Sequence, residues 1–169
     1  EGYRAPTFSL DQRTSWALPI LARFGYRYDS SIFPMRNGMY GVAGAPLAPY
    51  LIGPGDVSQA NARGELWEFP MSVYKIGPVR VPVSGGFYLR VLPLPLLAAA
   101  LGRIAASGRP FVLYLHPWET HEGTPRIATM PPLARWATYV NLESTREKLE
   151  RLLQRFSFAP LRTVLAQWP

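Results

Sequence analysis

The chain has 169 residues, 48% of them hydrophobic and 13% aromatic, which is enough apolar material for one buried core and predicts a single domain over residues 1–169. Eighteen Lys and Arg against eleven Asp and Glu give a net charge of +7, but these cations are scattered from Arg4 to Arg162. Such scatter favours an arginine-rich surface over a phosphate-binding track, so we expect no nucleic-acid partner. The absence of cysteine excludes disulfides, thiol nucleophiles and cysteine-based zinc sites, and no apolar run has the length of a transmembrane helix.

The N-terminal part of the chain predicts a helix, a strand and a long loop. Residues 15–24 are typical of a helix that Ser15 caps and Gly25 ends, and the β-prone residues 26–33 follow as a strand. Residues 34–62 are rich in Gly, Pro, Ala, Asn and Asp, which predicts a long irregular loop. The expected apolar face of the helix comprises Trp16, Ile20, Leu21 and Phe24.

The C-terminal part alternates predicted strands and helices. Residues 65–76 favour a strand, 82–90 a glycine-containing turn, and 94–108 an Ala- and Leu-rich helix that Gly108 closes. The short apolar run 111–116, between two prolines, predicts a buried strand with Val112, Tyr114 and His116 on one side and Phe111, Leu113 and Leu115 on the other. Residues 144–156 predict a helix. The last helix is expected to have a capping box of Ser144 and Glu147 and an inner face of Leu149, Leu152, Leu153 and Phe156. This alternation indicates an α/β fold with parallel strands.

The only two histidines, His116 and His121, lie in one segment, FVLYLHPWETHE. In a helix they would be about 140° apart around the axis, and along a strand their odd separation would put them on opposite faces. A metal site made from this pair is therefore not expected. His116 ends the predicted strand, where α/β barrels perform chemistry, so it can be a general acid or base, or merely a histidine that bonds a backbone carbonyl. His121 is expected in solvent.

Several segments in order carry a family resemblance: EGYRAPTFSL, YDSSIFP, LWEFP, SGGFYLR and YLHPWE, followed by TPR. Together they resemble the polysaccharide deacetylases with NodB homology, carbohydrate esterase family 4. They are most similar to the branch associated with exosortase (XrtA) and exopolysaccharide gene clusters, over nearly the whole chain. The resemblance implies a partial, distorted (β/α) barrel of the NodB polysaccharide-deacetylase type that lacks the N-terminal strands.

The resemblance also implies roles for four residues. Arg4 would hold and orient the catalytic aspartate, and the backbone N–H of Thr7 would serve the oxyanion. Asp29 would orient and charge the catalytic histidine, and His116 would be the general acid that protonates the departing amine. Two alternatives stay open, since Arg4 can be a surface cation and Asp29 a turn acid in an Asx motif.

Four further residues are candidates for substrate binding. Tyr114 stands where the family usually has the leucine that lines the acetyl-methyl pocket. Trp118 and Glu119 can stack on and hydrogen-bond a sugar ring; alternatively, Trp118 packs under the next loop and Glu119 pairs with an arginine such as Arg126. Tyr88, with the glycines before it, can let the backbone approach a glycan, although a tight β-turn explains the glycines equally well.

The catalytic base and the metal ligands of this family belong to motifs that would lie before Arg4. Because the sequence opens on Glu1 rather than Met, we expect a fragment whose metal ligands lie upstream of Glu1, with none in this chain. The full-length protein is expected to use a divalent metal, zinc first, and this chain alone to bind none, to be inactive and to expose an open sheet edge. Ile32 and Phe33 stand where many members of the deacetylase family have Asp-Trp. The resemblance therefore implies that the contacts supporting the catalytic histidine differ from those of these members.

Three functions follow as hypotheses. The leading one is a hydrolase that removes N-acetyl groups from an amino-sugar polysaccharide, or from its lipid-linked oligosaccharide precursor, in exopolysaccharide biosynthesis, and the resemblance implies a cytoplasmic location. The second is a non-catalytic glycan-binding or scaffold protein with a degenerate deacetylase fold. The third is a basic domain that binds an anionic polymer, which a steep salt dependence of binding would reveal.

Overall fold

The computed structural model describes residues 1–36, 38–121 and 123–169, in which short strands alternate with helices. The strands are β1 (Gly2–Tyr3), β2 (Tyr28–Asp29), β3 (Tyr50–Ile52), β4 (Leu66–Glu68), β5 (Val73–Ile76) and β6 (Val79–Pro82). The helices are α1 (Ala17–Arg23), α2 (Gly86–Val91), α3 (Leu94–Ala106), α4 (Pro132–Tyr139), α5 (Thr145–Arg155) and α6 (Leu161–Gln167). Short 3₁₀ turns cover Pro6–Phe8, Pro117–Thr120 and Leu142–Ser144.

The main sheet has four strands in the order β1-β2-β4-β3. β1, β2 and β4 run parallel, and β3 lies antiparallel to β4 at the edge. β5 and β6 form a separate antiparallel hairpin. The prediction of an α/β fold with parallel strands is confirmed, and the strands of the described residues do not close into a barrel.

One row of the main sheet places two acids side by side. Tyr3 pairs with Asp29 across β1 and β2, Asp29 pairs with Glu68 across β2 and β4, and Glu68 pairs with Tyr50 across β4 and β3. Residues in one row of a sheet point to the same face, so this register brings the two carboxyl groups together.

The first predicted helix exists as α1, but its buried face differs from the prediction. Leu18 is buried and Leu21 packs beside it, whereas the side chain of Phe24 is 76% exposed. The Oγ of Ser15 donates to the carbonyl of Gln12 instead of capping the helix. Of the predicted apolar face, Trp16, Ile20 and Phe24 point to solvent because α1 packs on the sheet through its Leu18 and Leu21 side.

Strands are shorter than the sequence predicts. The predicted strand 26–33 shrinks to β2, because the chain turns after Asp29 and Ser31 bonds back to its carboxylate. The loop predicted over 34–62 contains β3. Residues 65–76 form two strands, β4 and β5, with Pro70 between them, and proline lacks the N–H that a continuous ladder needs.

Two of the predicted helices are confirmed, and a third segment is helical against expectation. α3 ends with Gly108 at a φ of +77°, and α5 covers most of 144–156. Residues 82–90 contain α2, which begins after Gly85 at a φ of +100°, rather than a β-turn. The capping box is wrong, because Ser144 donates to the carbonyl of Asn141 and Glu147 pairs with Arg151. Of the predicted inner face, Leu152 is buried, Leu149 and Phe156 are partly buried, and Leu153 is 51% exposed.

Residues 111–115 are half-buried and His116 is exposed, and this extended segment joins no ladder among the described residues. The alternation of sides is as predicted, since Phe111 and Leu113 pack against the α3–α5 core while Val112 and Tyr114 pack on a cluster around Phe33. The N–H of Val112 donates to the Oγ of Ser72 at 2.7 Å, a side-chain bond where a strand neighbour would supply a carbonyl. The prediction of a buried strand is therefore wrong in its pairing and correct in its alternation.

No helix in the described ranges has both the length and the apolar character that crossing a bilayer requires.

Candidate functional site

A cavity of about 650 Å³ collects most of the predicted site residues. Its walls come from the turn after β1, the loop after β2, the start of α2 and the end of the extended segment 111–116. The predicted residues that line it are Arg4, Thr7, Tyr88, Tyr114, His116 and Glu119. Asp29 and Trp118 do not line it, although the ring of Trp118 stacks on that of His116 with centroids 6.0 Å apart. The volume is in the range that holds a small ligand such as a sugar ring.

His116 is exposed at the cavity, and its ring contacts Tyr114. The hydroxyl oxygen of Tyr114 lies 2.9 Å from Nε2 of His116 and 3.4 Å from Nδ1. Because the two residues are separated by one position in an extended segment, they point to the same side. Which group donates depends on the protonation state of the imidazole.

Arg4 connects the Tyr114 ring to the main sheet. Its Nε donates to the carbonyl oxygen of Ser30 and its Nη2 to the Oγ of Ser30, both at 2.7 Å. Its guanidinium carbon lies 4.6 Å from the centroid of the Tyr114 ring, a cation–π distance. Burial lowers the pKa of Arg4, and the charges of Glu68 and Asp29 act in the opposite direction. Because of these contacts, Arg4 is not the isolated surface cation that the alternative interpretation assumes.

Behind Arg4, Asp29 and Glu68 form a buried pair of carboxyl groups, and neither is exposed to solvent. The N–H and Oγ of Ser31 donate to Asp29 at 3.1 and 2.8 Å, and the N–H of Ile32 donates to Oε1 of Glu68 at 2.9 Å. Burial raises the pKa of Asp29. Burial first, and the charge of Asp29 second, hold the pKa of Glu68 well above its ordinary value. Burial therefore favours a proton retained by the pair of carboxyl groups as a whole.

The described residues show no hydrogen bond by which Asp29 could orient His116, as the resemblance implies. Asp29 accepts hydrogen bonds from Ser31 and lies beside Glu68 in the sheet, and the ring of His116 bonds to Tyr114; no hydrogen bond joins Asp29 to His116 within the described ranges. The bond from the N–H of Ser31 to the Asp29 carboxylate is an Asx turn, so the alternative reading as a turn acid has direct support.

Glu119 lines the cavity but has internal partners. It forms a buried ion pair with Arg90 at 3.1 Å, with side chains 4% and 3% exposed, and it also accepts the backbone N–H of His116 at 2.8 Å. The arginine suggested by sequence, Arg126, instead lies over the ring of Tyr139. Glu119 therefore pairs with an arginine, as the alternative predicts, but with Arg90 rather than Arg126. Sugar binding by Glu119 remains a prediction.

Thr7 and Tyr88 complete the cavity wall. Thr7 has a φ of +53°, an uncommon conformation for a β-branched residue, and Phe8 after it has the same φ. Such strain concentrates at functional sites, and Thr7 is the residue assigned to the oxyanion by resemblance. Tyr88 stacks on Phe33 with centroids 6.5 Å apart, and burial raises the pKa of its hydroxyl.

The residues around the cavity do not fit a metal ion. In the part of the chain that the structure describes, no three His, Asp or Glu side chains converge as a ligand set. The carboxylate of Glu119 is bound to Arg90, and that of Asp29 is buried beside Ser31. His121 is exposed, with its ring beside Gly123. No step of a reaction is therefore assigned to a metal held by these residues.

Sequence reasoning missed two charged residues of this region, Glu68 and Arg90. A signal existed for Glu68, because it lies two residues after Leu66 in β4 and so points to the same, buried side of the strand. Arg90 has no such signal, since the sequence predicts a turn for its segment. The bond from Tyr114 to His116 was also missed, although their spacing of two predicted a common side.

Comparison with known families gives one match. Residues 30–166 match the profile of a family described as a domain of unknown function, DUF3473. No curated protein and no solved structure matches the chain. The matched range contains Glu68, Arg90 and the segment from Tyr114 to Glu119. Since the match spans most of its residues, the chain belongs to the DUF3473 family.

Proposed function

We propose that the protein carrying this chain hydrolyses N-acetyl groups of an amino-sugar polysaccharide, or of its lipid-linked precursor, in exopolysaccharide biosynthesis. The observation that carries the proposal is the cavity where His116, Tyr114 and Arg4 meet, with the Tyr114 hydroxyl 2.9 Å from the imidazole. An imidazole at the mouth of a cavity of this size can exchange a proton with a bound ligand.

The chemistry of amide hydrolysis gives His116 a defined task. Water adds to the acetamide carbonyl, the C–N bond breaks, and the leaving nitrogen needs a proton to depart as an amine. His116 in its charged form donates that proton, and the hydroxyl of Tyr114 holds the imidazole in place through the bond to Nε2. Arg4, over the face of Tyr114, adds positive charge at this wall, which favours a developing oxyanion.

The strained backbone at Thr7 has a place in the same proposal. An N–H aimed at the position of the oxyanion contributes to catalysis only when it is held before the reaction begins. A left-handed conformation at a β-branched residue is kept only where the surrounding structure enforces it. We assign Thr7 the oxyanion role on that ground and by the resemblance of the Arg4-Ala5-Pro6 segment.

The remaining parts of a deacetylase site are assigned outside this chain. The water-activating base and the ligands of a divalent metal, zinc first, are proposed to come from other residues of the whole protein. The fold proposed for the whole protein is a distorted NodB-type barrel, to which β1, β2 and β4 would contribute parallel strands.

A non-catalytic glycan-binding protein is the second candidate function. The aromatic wall of Phe33, Tyr40, Tyr88 and Tyr114 would suit sugar rings in either case.

The experiment compares turnover and binding in the full-length protein that carries this chain. Oligomers of N-acetylglucosamine and N-acetylgalactosamine are incubated with the protein, and loss of acetyl groups is followed by mass spectrometry and by labelling of the new amines. Binding is measured on the same oligomers by saturation-transfer NMR, with cello-oligosaccharides, which lack acetamido groups, as the control.

The outcomes separate the two candidates. Acetyl loss that depends on the protein, with cello-oligosaccharides unbound, supports the deacetylase. Binding of the acetylated oligomers without acetyl loss supports the glycan-binding protein and overturns the deacetylase. Failure both to bind and to deacetylate either oligomer overturns both.

A further inference from the structure

We propose that Arg90 and Glu119 act together as a positioning unit that fixes the backbone of His116 at the cavity. The consequence for catalysis rests on the proposed function, whereas the positioning itself is a property of the fold. Nothing in the sequence resemblance assigns a role to Arg90, and the proposal gives Glu119 the role of supporting the histidine.

Glu119 holds His116 through the main chain. Its Oε2 accepts the backbone N–H of His116 at 2.8 Å, and its Oε1 lies 3.1 Å from Nη2 of Arg90. Glu119 is the third residue of the turn Pro117–Thr120, so its side chain can reach back to the N–H that precedes the turn. Both carboxylate oxygens are thereby engaged within the protein, and the carboxylate is not available as a general base.

Arg90 in turn is anchored to the helices around it. Its Nη1 donates to the carbonyls of Thr138 at 2.6 Å and Val140 at 3.3 Å, at the end of α4, and its Nε donates to that of Gly86 at 3.3 Å. Its own carbonyl accepts from Nζ of Lys148 at 2.8 Å, a residue of α5. The guanidinium therefore connects Glu119 to the start of α2 and the end of α4, while the main chain of Arg90 binds α5.

Gly86 makes room for this arrangement. A Cβ at Gly86 would lie 2.0 Å from Oε2 and 2.1 Å from Oε1 of Glu119, far inside contact distance. The backbone at the start of α2 thus packs directly against the carboxylate, and the SGGFYLR and HPWE segments are complementary in shape as well as in charge.

A positioning role affects where the imidazole of His116 lies, whereas a purely structural role affects the stability of the fold. Replacing a buried ion pair by apolar side chains of similar volume is often neutral for stability, because the desolvation cost of both charges disappears. His116, in contrast, is exposed, and the extended segment before it lacks ladder bonds among the described residues. The bond from its N–H to Glu119 is then a main restraint on where the imidazole stands.

Amide hydrogen exchange at His116 tests the bond from its N–H to Glu119 directly. Labelling of the full-length protein with ¹⁵N-histidine gives one backbone amide signal for each histidine, and the signal that His116→Ala removes is that of His116. Amide hydrogen exchange of His116 is measured in the wild-type chain, in the double variant Arg90→Met/Glu119→Leu and in Glu119→Gln. The double variant keeps side-chain volume and removes both charges, and Glu119→Gln keeps an acceptor oxygen but loses the ion pair.

We expect the His116 amide to exchange at least about tenfold faster in the double variant than in the wild type, with Glu119→Gln between them. In the full-length enzyme, the double variant should lower kcat by about 10- to 100-fold while KM changes less than about twofold, as for misplacement of a catalytic group. Wild-type exchange at His116 in Glu119→Gln and in a folded double variant would overturn the proposal. If the double variant does not fold, Glu119→Gln alone decides it.

The two proposals fail separately. A wild-type protein that removes no acetyl groups overturns the proposed function, while the exchange of the His116 amide still tests the positioning. Conversely, an active enzyme whose His116 amide and kcat do not respond to these variants retains its function and refutes the positioning unit.

Discussion

The hydroxyl oxygen of Tyr114 lies 2.9 Å from Nε2 of His116, so this tyrosine holds the side chain that we propose as the general acid. The opposite side of this tyrosine faces Arg4, whose guanidinium carbon is 4.6 Å from the ring centroid. Tyr114 and Arg4 thus connect the histidine to Ser30, the residue that follows β2. Removing parts of this connection gives distinct effects on rate and stability.

Tyr114→Phe removes the hydroxyl and keeps the ring. The imidazole then loses the bond to Nε2, while the contact with Arg4 and the cavity wall persist. We expect kcat for deacetylation by the full-length protein to fall about tenfold, or about 1.4 kcal/mol in the barrier, with KM changed less than about twofold. Steady-state kinetics on N-acetylated oligomers measure both, and a wild-type kcat would show that the hydroxyl does not support His116.

Arg4→Lys tests the fork that binds Ser30. A lysine cannot donate at once to the carbonyl and to the Oγ as Nε and Nη2 of Arg4 do. We expect a loss of about 1–3 kcal/mol in the free energy of unfolding by urea. The control is Arg13→Lys, because Arg13 is 90% exposed and its pair with Asp11 should have no measurable effect on stability. Equal effects at the two positions would contradict the role given to Arg4.

Glu68→Gln tests the proton shared with Asp29. The pKa of Glu68 is raised in the folded chain, so the stability that its protonation contributes is complete below its ordinary value of 4.5 and is lost as pH rises through the folded pKa. Glutamine stays neutral and can still accept the N–H of Ile32. The advantage of Glu68→Gln over wild type should therefore grow with pH above about 4.5, by at most about 1.4 kcal/mol per pH unit.

The measurement for Glu68 is urea unfolding of both proteins at several pH values between about 4 and 8. Glu68→Ala is the companion variant, since it removes the acceptor for Ile32 and leaves a cavity, and it should be destabilising throughout this range. A constant difference between Glu68→Gln and wild type at all pH values would mean that Glu68 is not the group that holds the proton.

Gly86→Ala tests the close approach of α2 to Glu119. The new Cβ would displace a carboxylate that Arg90 and the His116 N–H hold in place, and we expect a loss of about 1–3 kcal/mol in the free energy of unfolding. Gly55→Ala is the matched control, because a Cβ there meets no atom within 4 Å. It should change stability by less than about 0.5 kcal/mol. Thermal or urea unfolding compares the two, and an unaffected Gly86→Ala would show that the carboxylate moves freely.

Local periodicity predicted part of this molecule correctly. The alternation from Phe111 to His116 is present even without a strand neighbour, because side chains of any extended chain point alternately to two sides. The same rule placed Tyr114 and His116 on one side, which their hydrogen bond confirms.

The wrong or missed predictions concern helix faces and residue pairings that depend on packing against other elements. Which stripe of α1 is buried depends on where the helix meets the sheet, so Leu18 is inside and Trp16 outside. Leu152 and Leu153 differ for the same reason at α5. The pairing of Asp29 with Glu68 depends on sheet register, and that of Arg90 with Glu119 on helix packing, neither of which one sequence reveals.

The central claim is that His116 donates the proton to the leaving amine, and the two histidines of the chain allow a matched test. His116→Ala and His121→Ala are compared in the full-length protein by the rate of acetyl loss from N-acetylated oligomers. We predict that His116→Ala lowers kcat by about 100-fold or more, in line with the loss of a general acid, whereas His121→Ala stays within about twofold of wild type. Equal rates for the two variants, with both proteins folded, would contradict the assignment.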